Sequence, residues 1–520
     1  MAPAPPSGAA TVAVTDRGLT AADVVAVARD GAAVELTRAA RDAMAASAAL
    51  VDGFLAADEP VYGVTTGFGS LATTSIPPER TAELQVALVR SHAAGMGSPV
   101  EGEVVRAMML LRARSLAMGR SGARPEVAEA LLALLNAGLT PVVHEHGSLG
   151  ASGDLAPLAE AAMVLIGEGE ATDASGRVRR PAGEALAECG LAPVVLRAKE
   201  GLALINGTDG ILGMLVLALE DLRRLLKTAD IAAAMTVEAL LGTDRAFAAD
   251  LQALRPQPGQ AVSAGNLRRL LAGSAIVASH RENDPRVQDA YSLRCSPQVH
   301  GAVRDTVAHA TTVADHELVA AIDNPMVLPD GRVESCGNFH GAPLGYVCDF
   351  LAIAVADLGA LSERRTDRML DRTRSHGLPP FLAPDAGVDS GMMIGHYAQA
   401  AMVAENRRLA APASVDTVPT SAMQEDHVSM AWGAARKLRA SLANLTRILA
   451  VELTSAARGL DLRAPLVPAK GTGAALGALR TVVGGPGPDR WLAPELAAVE
   501  DLVVRGDVVA AVDAEIGALE

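Results

Sequence analysis

The sequence predicts an all-α protein: a core bundle of long helices joined to a smaller N-terminal domain of shorter helices and loops. Two observations carry this. Half of the 520 residues are hydrophobic, but that half is mostly Ala, Leu and Val, and aromatics make up only 2%. Ala and Leu favour helices, whereas strands draw on β-branched and aromatic side chains. Apolar residues also recur at helical spacing through long stretches, about 203–241, 299–321, 342–363, 391–409 and 427–460. Ala and Gly interleaved through such stretches suit a closely packed bundle.

Along the chain, the first dozen residues are rich in Ala and Pro and are expected to fray. Residues 20–57 read as helical, with Thr20 as a cap. Residues 61–69 break the pattern with three glycines and two threonines in nine positions and read as a loop. Helices resume at Thr81, and one spans about 125–137, with Pro125 in its first turn and Gly138 just past its end. A second glycine-rich break, 147–154, runs into a helix at Leu155, with Asp154 or Ser152 as its N-cap. Residues 463–490 are richer in Gly and Pro and set off a short helical tail. The expected domains are 1–200, carrying both glycine-rich loops, 201–465, the long-helix bundle, and 466–520, a C-terminal helical segment.

Composition and missing motifs exclude several functions. The formal charge is −15, which disfavours nucleic acid or an anionic membrane as partner. Four scattered cysteines, Cys189, Cys295, Cys336 and Cys348, make no disulfide framework and point to a reducing, cytoplasmic setting. The first residues lack the charged and apolar regions of a secretory signal. The stretches 210–219 and 351–361 read as core helices rather than membrane spans, the second flanked or broken by Asp349 and Asp357. No phosphate loop, dinucleotide fingerprint or nucleophile elbow occurs. His144-Glu145-His146 lacks the spacing of a zinc helix, so no metal is expected.

Ala151-Ser152-Gly153 has a definite chemical use. If the loop is drawn tight, the Gly153 amide nitrogen can attack the Ala151 carbonyl carbon, a closure that a Cβ at Gly153 would obstruct. Loss of one water closes an imidazolone ring; loss of a second from Ser152 leaves a conjugated methylidene carbon. The product is an electrophile, which no standard side chain supplies. The helix starting at Leu155 can stabilise developing negative charge through its first amides.

The context Gly147-Ser148-Leu149-Gly150-Ala151-Ser152-Gly153-Asp154-Leu155-Ala156-Pro157-Leu158-Ala159 resembles the cofactor loop of the aromatic amino acid ammonia-lyases, which carry 4-methylideneimidazol-5-one (MIO). The resemblance extends over most of the chain. It includes residues 62–69, Tyr-Gly-Val-Thr-Thr-Gly-Phe-Gly, and 90–95, Arg-Ser-His-Ala-Ala-Gly. It continues through 201–208, 287–295, Gly337-Asn338-Phe339-His340 and 423–430, Met-Gln-Glu-Asp-His-Val-Ser-Met. The last block, together with His92, is similar to that of family members acting on histidine. The implied activity is elimination of ammonia from L-histidine to trans-urocanate, the first step of histidine degradation. The implied cofactor is MIO formed from the chain itself, with no metal or diffusible cofactor. The implied assembly is a homotetramer with shared active sites.

That chemistry needs an electrophile for the amine, a base for a weakly acidic β-proton and a clamp for the carboxylate. The resemblance assigns Tyr62 as base, on a glycine-rich loop that can move. Arg294 can grip the carboxylate through two parallel N–H bonds. Asn206 is suited to the carboxylate or the MIO carbonyl oxygen. Tyr291 and Gln288 support the cofactor or the carboxylate, and Phe339 packs against the MIO ring or the substrate ring. His92 and Glu425 are expected to read the imidazole, since a buried Glu facing a phenyl ring would be left unpaired. His427 reads as structural. Relatives using phenylalanine carry Gln in place of Glu425. Asp209, Ser296 and His300 depart from commoner family choices and bear on fine substrate preference. A tyrosine or phenylalanine ammonia-lyase, or an aminomutase, is the competing reading.

Overall fold

The computed structural model describes residues 11–57, 66–67 and 74–520. Among these, twenty α-helices carry the fold, and nine strands of two to four residues form four small sheets. The all-α expectation holds. The chain divides into two compact units: Met1–Leu217 with Thr311–Cys348 and Pro412–Arg436, and Ala218–Ala310 with Asp349–Ala411 and Lys437–Glu520.

In the first unit, the helical pattern of 20–57 splits into helices Ala21–Ala28 and Arg38–Ala57. Thr20 caps the first reciprocally: Asp23 N donates to its Oγ1 at 3.2 Å, and Thr20 N donates to Asp23 Oδ2 at 2.9 Å. The split has a local cause. Gly31 takes a left-handed turn, and Val34–Leu36 then pairs in parallel with Val12–Val14, burying alternate β-branched and Leu side chains. Helix Pro125–Asn136 forms as expected. Helix Gly102–Ala117 is buried almost throughout and anchors the core.

One expected long helix, 203–241, is interrupted. Helices Glu200–Ile205 and Asp209–Ala239 flank a break at Asn206–Thr208. There Gly207 leaves the helix to bridge Gly153. Asp154 explains the restart. It sits at the N-cap position of helix Leu155–Leu165, but its side chain makes no bond to that helix. Its Oδ2 instead accepts from Gly210 N at 2.7 Å and Ile211 N at 3.1 Å, capping the other helix.

The second unit is built on segments of long helices tied by a largely buried polar network. Arg365 Nη2 donates to Glu452 Oε2 at 2.8 Å, and Thr236 and Ser362 hydroxyls donate to the same carboxylate at 2.9 and 2.6 Å. Arg304 and the His300 ring both reach Asp230 at 2.7 Å. Buried charges persist in a core only when paired and hydrogen-bonded in this way. Residues 463–490 hold a helix after all, Lys470–Arg480, packed on Asp507–Ile516. Among the described residues, one helix, Ala342–Leu370, is long and apolar enough to cross a bilayer. Its Asp349 is paired with Lys437 at 2.8 Å and its Arg365 lies in the buried network, the marks of a core helix.

Candidate functional site

The Ala-Ser-Gly loop is held from several parts of the first unit. Leu149 O accepts from Met430 N at 2.7 Å. Gly150 O accepts from Gly341 N at 3.0 Å and from Ser429 Oγ at 2.8 Å. On the far side, Asp154 N donates to Gly207 O at 2.7 Å. Three sequence blocks far apart along the chain therefore meet on this loop.

The loop is tightly turned. Ser152 and Gly153 both take left-handed conformations, at φ 50° and 72°. A Cβ on Gly153 would lie 2.0 Å from Gly207 O and 2.3 Å from its carbonyl carbon. Glycine is thus required there by space as well as by φ. Ala151 and Gly153 are buried, while Ser152 is half-buried and faces a cavity of about 510 Å³. These three residues fit the MIO group, with the serine carbon toward the cavity.

That cavity also brings together His92, Asn206 and Glu425, beside apolar walls from Leu84, Leu88 and Leu202. His92 ends helix Thr81–His92, and its Nδ1 lies 2.9 Å from Leu88 O. A carbonyl can only accept, so Nδ1 carries the proton. Burial pushes the His92 pKa below the usual histidine range, partly offset by the charge of Glu425. Glu425 is half-buried and accepts from Thr420 Oγ1 at 2.8 Å. Both amide hydrogens of Asn206 are engaged, by Asp323 Oδ1 at 3.1 Å and Asn324 O at 2.8 Å. Asp323 is in turn paired with the buried Lys199 at 2.8 Å.

The other expected site residues are placed differently. Tyr62 lies outside the described residues. Gln288, Tyr291 and Arg294 belong to the second unit and do not line this cavity. Tyr291 is 71% exposed, with the Arg294 guanidinium 4.7 Å from its ring centre. Phe339 is half-buried and also absent from the lining, whereas its neighbour His340 stacks on His427 at 5.7 Å. Among the described residues no cluster of His, Cys, Asp or Glu could hold a metal. His144 is instead bonded to Glu160 at 2.7 Å.

The three departures occupy buried positions. Asp209 lies 3.2 Å from Arg112 Nη1, beneath the Gly207 bridge. Arg112 also donates to Asn206 O at 2.8 Å and Ile322 O at 2.9 Å. Burial, with the nearby Asp209 charge adding, pushes the Asp154 pKa up to about 8 against the pull of its amide donors. Ser296 and His300 extend the network of the second unit. Arg365 Nη1 lies 3.3 Å from Ser296 Oγ and 3.4 Å from His300 Nε2. With Nδ1–H donated to Asp230 and Nε2 accepting from Arg365, His300 is neutral, the form its burial favours. Sequence reasoning missed the Asp154 cross-cap, the Lys199–Asp323 pair and Thr420. None of them stands at a motif spacing; the one signal was an acidic residue beside a glycine-rich turn.

A tightly turned Ala-Ser-Gly loop, set in a helical fold beside a cavity that holds a histidine and a glutamate, is the arrangement of a lyase of the MIO type. The chain belongs to the aromatic amino acid lyase family, whose model matches residues 19–481. It is 62% identical to the histidine ammonia-lyase of Streptomyces coelicolor, over 98% of this chain and 99% of that one. It is 50% identical to that of Deinococcus radiodurans, over 95% and 94%. Among solved structures it is similar to a tyrosine aminomutase from Streptomyces globisporus, with a TM-score of 0.93, 37% identity and coverage of 98% and 100%. It is equally similar in sequence, at 37%, to histidine ammonia-lyase from Trypanosoma cruzi, with a TM-score of 0.89 and coverage of 98% and 96%.

Proposed function

We propose that this protein catalyses the non-oxidative elimination of ammonia from L-histidine to give trans-urocanate. The observation that carries the reading is the shared cavity of Ser152, His92 and Glu425, in a chain 62% identical end to end to a histidine ammonia-lyase. MIO forms from Ala151, Ser152 and Gly153, and once formed it supplies an electrophile for the substrate amine. No metal or diffusible cofactor is needed.

The chain's own residues bind, orient and move protons. His92, with Nδ1–H committed to Leu88 O, has only an acceptor nitrogen to offer, and Glu425 is an acceptor as well. Two acceptors select a ring bearing N–H donors over a phenyl ring, which would leave them unpaired. Asn206, fixed by Asp323 and Asn324, walls the cavity beside Ser152. The first turn of helix Leu155–Leu165 presents amides whose partial positive charge favours an anion nearby. Tyr62 removes the β-proton, and its pKa must be lowered in the assembled site for that role. Arg294 holds the carboxylate, and Tyr291 and Gln288 support it. Phe339 packs at the margin of the site. The protein works as a cytoplasmic homotetramer with active sites shared between chains. The exposure of Tyr291 supports that arrangement.

Incubation with L-histidine tests the reading, with urocanate followed by its ultraviolet absorbance. No urocanate from protein that has lost two water molecules by intact mass would refute it. The high TM-score to a tyrosine aminomutase favours a second reading, in which the amine returns to the β-carbon. Product analysis with L-tyrosine, looking for a β-amino acid, decides between them. Light scattering tests the tetramer.

A further inference from the structure

We propose that Thr420 is a positioning residue for substrate choice, because it dictates which oxygen of Glu425 meets the substrate ring. The inference rests on the proposed role of Glu425 and adds the group that aims it. Thr420 Oγ1 donates to Glu425 Oε2 at 2.8 Å. The two backbones are also paired, Thr420 N to Glu425 O at 2.9 Å and Glu425 N to Thr420 O at 3.3 Å. The side-chain bond and the backbone pair together close one small ring of chain around the carboxylate.

The residues inside that ring are strained. Ser421, Ala422 and Met423 have φ of 50°, 51° and 72°, three successive non-glycine residues in the left-handed region. Such conformations persist only where the surroundings over-determine them, and they gather at ligand clamps. Here the surroundings are visible: Met423 N donates to Thr420 O at 3.1 Å and Gln424 N to Ser421 O at 3.1 Å. Ser421, the first residue of the strained turn, and Glu425, just beyond it, both line the cavity. Among the described residues no cation pairs with Glu425, so the Thr420 hydroxyl is what orients the carboxylate. With one lone pair of Oε2 engaged by Thr420, Oε1 is the more available oxygen for a donor in the cavity. A ring carrying an N–H meets it; a ring without one does not.

The test uses the full-length enzyme and three variants, Thr420→Val, Thr420→Ser and Glu425→Gln, each assayed for KM and kcat with L-histidine and for thermal midpoint. Thr420→Val keeps the side-chain volume and removes the hydroxyl. It is expected to raise KM by about tenfold, the equivalent of one hydrogen bond to a charged group, with kcat changed by less than about threefold. Thr420→Ser retains the hydroxyl and is expected to restore KM to within about threefold of the parent. That rescue separates aiming of Glu425 from a general packing role. A parental KM in Thr420→Val alongside an impaired Glu425→Gln overturns the role of Thr420 while leaving Glu425 as reader. Parental KM in both variants overturns the reading of Glu425 itself. Equal impairment of Thr420→Val and Thr420→Ser overturns the proposal too, since the hydroxyl would not be the agent.

Discussion

Replacing Gly153 with alanine tests the loop most directly, because two costs fall on one atom. The added Cβ meets Gly207 O at 2.0 Å and Gly207 N at 2.7 Å, all rigid backbone. Relieving a 2.0 Å approach means moving one strand of the bridge by more than about 1 Å, which also stretches the Asp154 N to Gly207 O bond of 2.7 Å. Overpacking of this kind costs about 1–3 kcal/mol. The left-handed φ of 72° adds about 1–2 kcal/mol for any residue with a Cβ. The sum is about 2–5 kcal/mol. Gly176 supplies the control: its φ is 68°, but a Cβ there meets nothing within 4 Å. Gly176→Ala should therefore show only the conformational cost, about 1–2 kcal/mol, with normal turnover. Denaturant midpoints of both variants measure the steric difference, and intact mass shows whether Gly153→Ala still loses two waters. Equal midpoints, or full turnover in Gly153→Ala, would refute the argument that Gly207 forces glycine at this position.

Three further outcomes are expected. Ser152→Ala should abolish urocanate formation and retain the mass of the uncyclised chain, while its thermal midpoint stays near the parent's, since Ser152 is half-buried on a cavity wall. Asp154→Asn should flatten the pH dependence of stability. With its folded pKa raised to about 8, Asp154 binds more protons folded than unfolded, so its contribution is complete below about pH 4 and is lost as pH rises through 8. The neutral amide, accepting from Gly210 and Ile211 as before, should gain more on the parent at pH 8 than at pH 5, by urea midpoints at the two values. Arg365→Met should cost about 3–5 kcal/mol by leaving the buried Glu452 charge with hydroxyl donors alone, and adding Glu452→Met should recover part of it. A double variant no better than the single would show that volume, not charge, sets the loss.

Much of this was legible in the sequence, and the failures share a cause. Helices Pro125–Asn136 and Met393–Leu409 follow from apolar period and caps, which are local facts. The break at Asn206–Thr208 was not legible because its cause lies elsewhere: Gly207 leaves its helix to meet Gly153, and Asp154 restarts the next. The strand pairing of Val12–Val14 was hidden likewise, since three-residue strands carry too little periodicity to register. The Gly/Pro-rich stretch before the tail hid helix Lys470–Arg480 because glycine lowers helix propensity while also allowing close packing.

The scattered motifs have a common physical basis that spacing alone does not reveal. A loop folded back through left-handed Gly150, Ser152 and Gly153 leaves carbonyls that need donors from outside it. Leu149 O takes Met430 N, and Gly150 O takes Gly341 N and Ser429 Oγ. Block 337–341 thus delivers one donor to the loop and block 425–430 two, and the second places Glu425 on the same cavity as Ser152. The segment that holds the Ala-Ser-Gly loop is continuous with the segment that carries Glu425, the proposed reader of the substrate ring. Changes in ring recognition at Glu425 and changes in loop tension at Ser429 are therefore coupled through four residues of chain. Substitutions at Ser429 should disturb substrate choice and cofactor formation together, whereas those at Thr420, on the far side of Glu425, should disturb substrate choice alone.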